Sequence, residues 1–167
     1  MCGIAGLIHR GKSSNVGEEL QNMLQALKHR GPDSTGYALY ANNDGQNFIL
    51  RFKVGENVGE GSTSVNEDES VYDERKKLVD KKLSSLGATV VKEDRLTPYS
   101  FRYEIKIDMD LMEFSKAIES INNVEILSIG KSLELVKDLG DATVVSERYG
   151  LNKKKGTHGI GHDRMST

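Results

Sequence analysis

The chain opens Met1-Cys-Gly-Ile-Ala-Gly-Leu-Ile-His9, and this stretch sets the reading of everything that follows. Gly3 to His9 reads as a short buried strand starting at once, with small residues at Gly3, Ala5 and Gly6 that permit close backbone approach. Cys2 is the one cysteine among the 167 residues, so neither an internal disulfide nor a multi-cysteine metal site can form. If Met1 is removed, Cys2 carries a thiol and a free α-amine on one residue. Ordinary values of about 8.5 for the thiol and about 7.7–8.0 for the amine let the amine take the thiol proton near neutral pH. The chain terminus then supplies the general base for a sulfur nucleophile. On Cys2 alone, the plainer reading is a small buried hydrophobe near a frayed end.

Outward from this start, Asn15 and Glu18 make a capping-box pattern. Behind them Val16, Leu20, Met23, Leu24 and Leu27 fall on one helical face. Two strands are expected next, Gly36 to Ala41 and Asn47 to Lys53, joined as a hairpin at Asp44-Gly45. Residues 55–70 are rich in Gly, Ser, Asn and Glu and read as a linker. Beyond it lie a helix over Val71 to Leu86 stopped by Gly87, a strand at Ala88 to Val91, and a strand in which Tyr99, Phe101, Tyr103, Ile105 and Ile107 alternate with polar residues. A helix at Leu111 to Ile121 and a strand at Val124 to Ile129 complete an inserted α+β lobe. Leu133 to Val136 (strand) and Ala142 to Tyr149 (helix) lead back, through the solvated lysine turn 153–155, to Gly156-Thr-His-Gly-Ile-Gly-His-Asp-Arg164-Met-Ser-Thr167.

Composition narrows the function classes. Hydrophobic residues make up 37% and charged residues 29%, enough apolar content for a core. A net charge of −2 gives no electrostatic reason to expect nucleic acid or an anionic membrane as partner. No apolar run approaches the ~20 residues of a membrane span, and no secretory signal pattern is seen. A lone thiol in such a chain points to the cytoplasm. His158 and His162 have the spacing of a helical metal pair, but Gly159 and Gly161 make a poor helix, so no metal and no cofactor are expected.

Three segments together carry a resemblance. Met1 to Gly6, Leu27-Lys-His-Arg-Gly-Pro-Asp-Ser-Thr-Gly36 and Gly159-Ile-Gly-His-Asp-Arg-Met-Ser-Thr167 resemble, in order, the three signatures of class II glutamine amidotransferases, members of the N-terminal-nucleophile hydrolases. The long insertion is most similar to the glutamate-synthase type. The resemblance implies an α+β fold, an αββα-type antiparallel sandwich incomplete at the C-terminus. The first part would span residues 1–53, the inserted lobe 54–131 and the return 132–167. It implies Cys2 as nucleophile, Arg164 and Thr167 on the substrate α-carboxylate, and Gly31 allowing backbone approach. Arg30, Asp33 and His162 would give structural support. The substrate would be glutamine, hydrolysed to glutamate and ammonia through a Cys2 thioester, with a synthase domain or subunit taking the ammonia.

Two departures qualify it. Asp163 stands where the family usually has Thr, and strand alternation is expected to turn it away from Arg164. The oxyanion-hole Asn-Gly and the acidic group for the α-amine follow the third signature in the family and have no counterpart by residue 167, so a fragment or one part of a split enzyme is expected. Competing readings are a non-catalytic ligand-binding or regulatory module on this fold, and another N-terminal-nucleophile amide hydrolase.

Overall fold

In the computed structural model, residues 2–11, 13–30, 33–42, 45–56 and 68–164 are described. They form a mixed α+β structure in two compact units, Met1–Gln46 with Ser132–Thr167, and Asn47–Lys131.

The first unit is built on a four-stranded antiparallel sheet. Its strands are β1 (Gly3–Ile8), β2 (Ser34–Ala41), β7 (Leu133–Leu139) and β8 (Gly156–Arg164), in the order β1-β8-β2-β7. Helices α1 (Val16–Ala26) and α4 (Ala142–Arg148) pack on one face. That packing requires glycine on the central strand β8. A Cβ at Gly161 would stand 2.4 Å from Leu24 Cδ1, and one at Gly159 2.7 Å from Leu39 Cδ2. The bare backbone of β8 thus becomes the seat for Leu20 and Leu24 of α1, both fully buried. Gly17 serves the same close approach at the helix start, where a Cβ would come within 1.8 Å of the Leu151 carbonyl oxygen.

The capping box does not form. The Asn15 side chain makes no cap hydrogen bond. The carboxylate that matters is Glu19, which accepts from the Ser14 hydroxyl and lies 2.8 Å from His9 Nε2. Those two contacts hold the Glu19 carboxyl below the usual carboxylate range. Nor is β1 buried on both sides: Ile4 and Ile8 face outward, exposed, while Ala5 faces the helices.

The second unit corrects the domain reading. Phe48–Lys53 (β3) does not pair with β2 as a hairpin partner; it lies in a separate sheet, between two strands of the lobe. The boundary expected after Lys53 therefore falls at Gln46/Asn47. The turn signal at Asp44-Gly45 is real in part, since Gly45 has φ +72°, but the chain uses it to leave one sheet and enter another. Asp44 lies outside the described residues.

With β3 included, the lobe runs β3, α2 (Glu69–Ser85), β4 (Thr89–Thr97), β5 (Ser100–Lys106), α3 (Leu111–Glu119), β6 (Glu125–Gly130). The antiparallel order β4-β5-β3-β6 is that of the ferredoxin-like split βαβ arrangement. The alternation along β5 is the device that makes it. Phe101, Tyr103 and Ile105 pair with Phe52, Leu50 and Phe48 across β3 and bury against Val79 and Leu83 of α2 and Phe114 and Ile118 of α3. Phe52 stacks on Phe101 at 5.3 Å and meets Tyr103 edge-on at 5.1 Å. The helices are set by N-caps, Asp68 accepting the Ser70 N–H and Asp110 those of Met112 and Glu113. Gly87, at φ +75°, turns the chain out of α2.

Two outcomes follow. Phe52→Ala is expected to cost about 3–5 kcal/mol of lobe stability. It should appear in amide hydrogen exchange as lost protection in β3 to β6, with protection in β1, β2, β7 and β8 retained. Gly17→Ala, which drives a methyl into the Leu151 carbonyl, is expected to cost about 2 kcal/mol or more, read from urea denaturation.

Candidate functional site

The pairing of β1 with β8 sets Gly3 opposite Asp163, and the pairing of β2 with β8 sets Thr35 opposite Asp163 and Ser34 opposite Arg164. The first pairing ends at Gly3–Asp163, one residue short of Cys2 on one strand and of Arg164 on the other. The Asp33 N–H donates to the Arg164 carbonyl oxygen at 3.2 Å. Three segments far apart in sequence thus end at one edge of one sheet: the start of β1, the residues entering β2 and the end of β8. The short 3-10 turn Lys28–Arg30 closes this edge, with Arg30 Cβ 3.8 Å from where a Gly3 Cβ would stand and Leu27 Cβ 3.1 Å. Gly3 is needed there because any side chain would push that turn away.

The two sides of β8 differ. Gly159, Gly161 and Asp163 face the helices, while Ile160, His162 and Arg164 face outward and are exposed. Arg164 and Asp163 point to opposite faces, as strand alternation predicts. On the outward side Ile4, Ser34, Gly36, Ala38, Ile160, His162 and Arg164 are among the residues lining a shallow concavity of about 300 Å³. At the far end of the same strand His158 stacks on Tyr40 with ring centroids 4.0 Å apart and lies 2.8 Å from Thr157 Oγ1. No group of three or more His, Cys, Asp or Glu suited to a metal occurs among the described residues.

The expected site residues distribute as follows. Cys2, a free and exposed thiol, directly precedes β1, and Arg164 is the last residue of β8 at the same end of the sheet. Arg30 and Asp33 flank it, Asp33 through its backbone. His162 lies on the outward face two residues before Arg164. Gly31 and Thr167 lie outside the described residues.

Asp163 proves to be more than a bystander. Its side chain is 1% exposed, and Oδ1 lies 3.0 Å from Thr35 Oγ1. Oδ2 meets no hydrogen-bond partner among the described residues. Burial raises the Asp163 carboxyl above the usual carboxylate range; the Thr35 contact and His162 act in the opposite sense, and Asp141 adds to the rise. Beside it Tyr37 donates to the Ala142 carbonyl oxygen at 2.7 Å and is pushed upward by its own burial. Asp141 caps α4 through the Thr143 and Val144 N–H groups and pairs with Lys28 at 2.8 Å, which lowers its carboxyl. The signal in the sequence was the acidic residue between a histidine and an arginine on a strand; what it lacked was the partner, Thr35, supplied by a strand 128 residues away.

Among the described residues no helix is long and apolar enough to cross a membrane. Residues 1–50 match the family model of the glutamine amidotransferase domain. A protein of Methanothermobacter thermautotrophicus named "Putative glutamine amidotransferase" is 35% identical over 178 residues, covering all of this chain and 52% of the relative. The glutamine amidotransferase-like protein GlxB of Rhizobium meliloti is 27% identical over 171 residues, covering all of this chain and 50% of that protein. A protein of Methanocaldococcus jannaschii, named as a putative glutamine-hydrolysing asparagine synthetase, is 50% identical over 40 residues, 24% of this chain and 8% of its own length. The first two alignments run through the lobe, so the insertion is shared with those relatives, and the chain spans about half the length of each. Residues 1–50 thus carry the match to a glutamine amidotransferase domain, and the whole chain is similar to proteins named for that family.

Proposed function

We propose that this domain performs the glutaminase half-reaction, with Cys2 as the nucleophile. The observation that supports the reading best is the Gly3–Asp163 register, which leaves Cys2 and Arg164 as the next residues of two paired strands, at a sheet end flanked by Asp33 and the Lys28–Arg30 turn. A thiol and a guanidinium on neighbouring strand ends offer a nucleophile and an anion-binding group for the two ends of one small amino acid.

The chemistry follows from the residues. After removal of Met1, the Cys2 α-amine takes the thiol proton and the sulfur attacks the glutamine side-chain carbonyl carbon. Collapse of the tetrahedral intermediate returns that proton to the departing nitrogen, releasing ammonia and leaving a γ-glutamyl thioester. Water then adds to the thioester, the sulfur leaves and takes back a proton, and glutamate is released. Arg164 holds the substrate α-carboxylate, for which its planar fork and permanent charge suit it. Thr167 adds a hydroxyl to the same group, and Gly31 lets its backbone approach the nucleophile. Arg30, Asp33 and His162 support the edge.

The ammonia passes to a synthase domain or subunit, as the class of reaction requires. The outward face of β1-β8-β2-β7, with Ile4, Ile8, Tyr40 and Ile160 exposed, supports stacking against a second antiparallel sheet in an αββα sandwich. A single free thiol fits a reducing, cytoplasmic setting.

Incubation with 6-diazo-5-oxo-L-norleucine followed by intact and peptide mass spectrometry tests the nucleophile. The expected result is loss of Met1 and one adduct on Cys2, blocked by excess glutamine and absent in Cys2→Ala. Retained Met1, or a free terminal cysteine that never labels, favours the non-catalytic module. For the clamp, Arg164→Ala is expected to raise the half-saturating concentration of the reagent about 10- to 100-fold, the loss of charge-assisted hydrogen bonds, with little change in the maximal labelling rate.

A further inference from the structure

Thr35 has one hydroxyl proton and two oxygen neighbours, the Gly140 carbonyl at 2.9 Å and Asp163 Oδ1 at 3.0 Å. A carbonyl and an ionised carboxylate both only accept, so the single Thr35 proton cannot serve both. Both contacts are hydrogen bonds at once only if Thr35 donates to Gly140 and a protonated Asp163 donates to Thr35 Oγ1. An ionised carboxylate would also leave Oδ2 buried with no donor among the described residues, whereas a carboxylic acid carries far less desolvation cost there.

A second set of bonds begins where the first ends. The Gly140 N–H donates to the Asp33 carbonyl oxygen at 3.0 Å, and the Asp33 N–H donates to the Arg164 carbonyl oxygen at 3.2 Å. The path Asp163, Thr35, Gly140, Asp33, Arg164 therefore closes on adjacent residues of β8. Gly140 can serve at this corner because its φ of +117° suits glycine.

We propose that Asp163 is a neutral carboxylic acid in the folded protein and acts as a positioning residue, its proton closing the hydrogen-bonded ring that fixes the Arg164 end of β8. Ionisation breaks the ring at one bond. Thr35 then turns its proton to the carboxylate and abandons Gly140, and the turn leading into α4 loses one of its ties to β2. The groups that act electrostatically on Asp163 are Tyr37 on β2, His162 on the other face of its own strand, Asp141 at the α4 cap, and Lys28 through Asp141. Gly3 lies opposite it on β1, with Arg30 of the 3-10 turn against Gly3, and Asp33 and Arg164 lie within the ring. Burial and Asp141 favour the acid form. The effect on substrate rests on the reading of Arg164 as the carboxylate clamp; the protonation state does not.

The test is therefore split. An infrared difference spectrum of the full chain against Asp163→Asn at neutral pH should show a carboxylic acid carbonyl band in the wild type that shifts in heavy water. A difference spectrum showing carboxylate bands in its place overturns the proposal. The folded-state acid is favoured, so its contribution to stability is complete below the ordinary aspartate value and lost as pH rises through the raised value. Asp163→Asn, which keeps a donor toward Thr35, should lack that component, and a melting profile that follows the wild type at every pH also counts against the idea.

The positioning role is read from diazo-oxo-norleucine labelling. The wild-type half-saturating concentration should rise about fivefold through the Asp163 transition, the worth of about one hydrogen bond, at constant maximal rate. Asp163→Asn should stay flat at the low-pH value, and parallel profiles for the two proteins overturn the role. If neither protein labels at any pH, the glutaminase reading fails while the spectrum and the melts still decide the proton.

Discussion

The close approach of α1 to β8 is the constraint on which the first unit depends. Gly159 and Gly161 remove the side chains that would hold the helix away, and Leu20 and Leu24 fill the space that results. A helix seated this low brings the 3-10 turn after it down to the start of β1, where Gly3 again makes room. Had β8 carried ordinary side chains, α1 would ride a few ångströms higher and the Lys28–Arg30 turn would lose contact with the strand that follows Cys2. The glycines therefore do structural work that ends at the candidate site, through packing rather than through any contact with substrate.

The same central strand divides labour between its faces. Inward, Asp163 enters a buried polar cluster with Thr35, Tyr37 and the α4 cap; outward, Ile160, His162 and Arg164 stay accessible. A two-residue period makes this possible, because adjacent residues of a strand meet different surroundings while their backbones remain fixed together. Buried polar groups hold a backbone in one arrangement when each is satisfied, and the ring through Gly140 and Asp33 satisfies several at once.

The lobe is a separate solution to a separate packing problem. Its aromatic residues on β3 and β5 face two helices, and β3 lies between β5 and β6. Phe48, Leu50 and Phe52 are the reason β3 leaves the first unit: a strand with three large apolar residues on one face needs the aromatic face of β5 opposite it, and β2 already has partners on both edges. Read alone, Gly45 between two strand-like runs is a hairpin. The positive φ is there, but a turn residue specifies local backbone and not which strand lies next to which.

Much was legible in the residue order. Local pattern located the four α-helices of the described residues and most of their strands, because 3.6- and 2-residue periods and turn residues arise from local geometry. Cys2 stood out by its type and place, and Arg30, Asp33 and Arg164 through the resemblance that their segments carry; the start of β1, the start of β2 and the end of β8 lie at one end of one sheet. What only the tertiary structure decided was pairing: that β3 belongs to the lobe, that Glu19 rather than Glu18 anchors the start of α1, and that Asp163 lies against Thr35. Such contacts depend on which segments, dozens of residues apart, occupy neighbouring places, and no local pattern encodes that. A carboxyl's protonation is set by those same neighbours, so the sequence could name Asp163 while its chemical state waited on the fold.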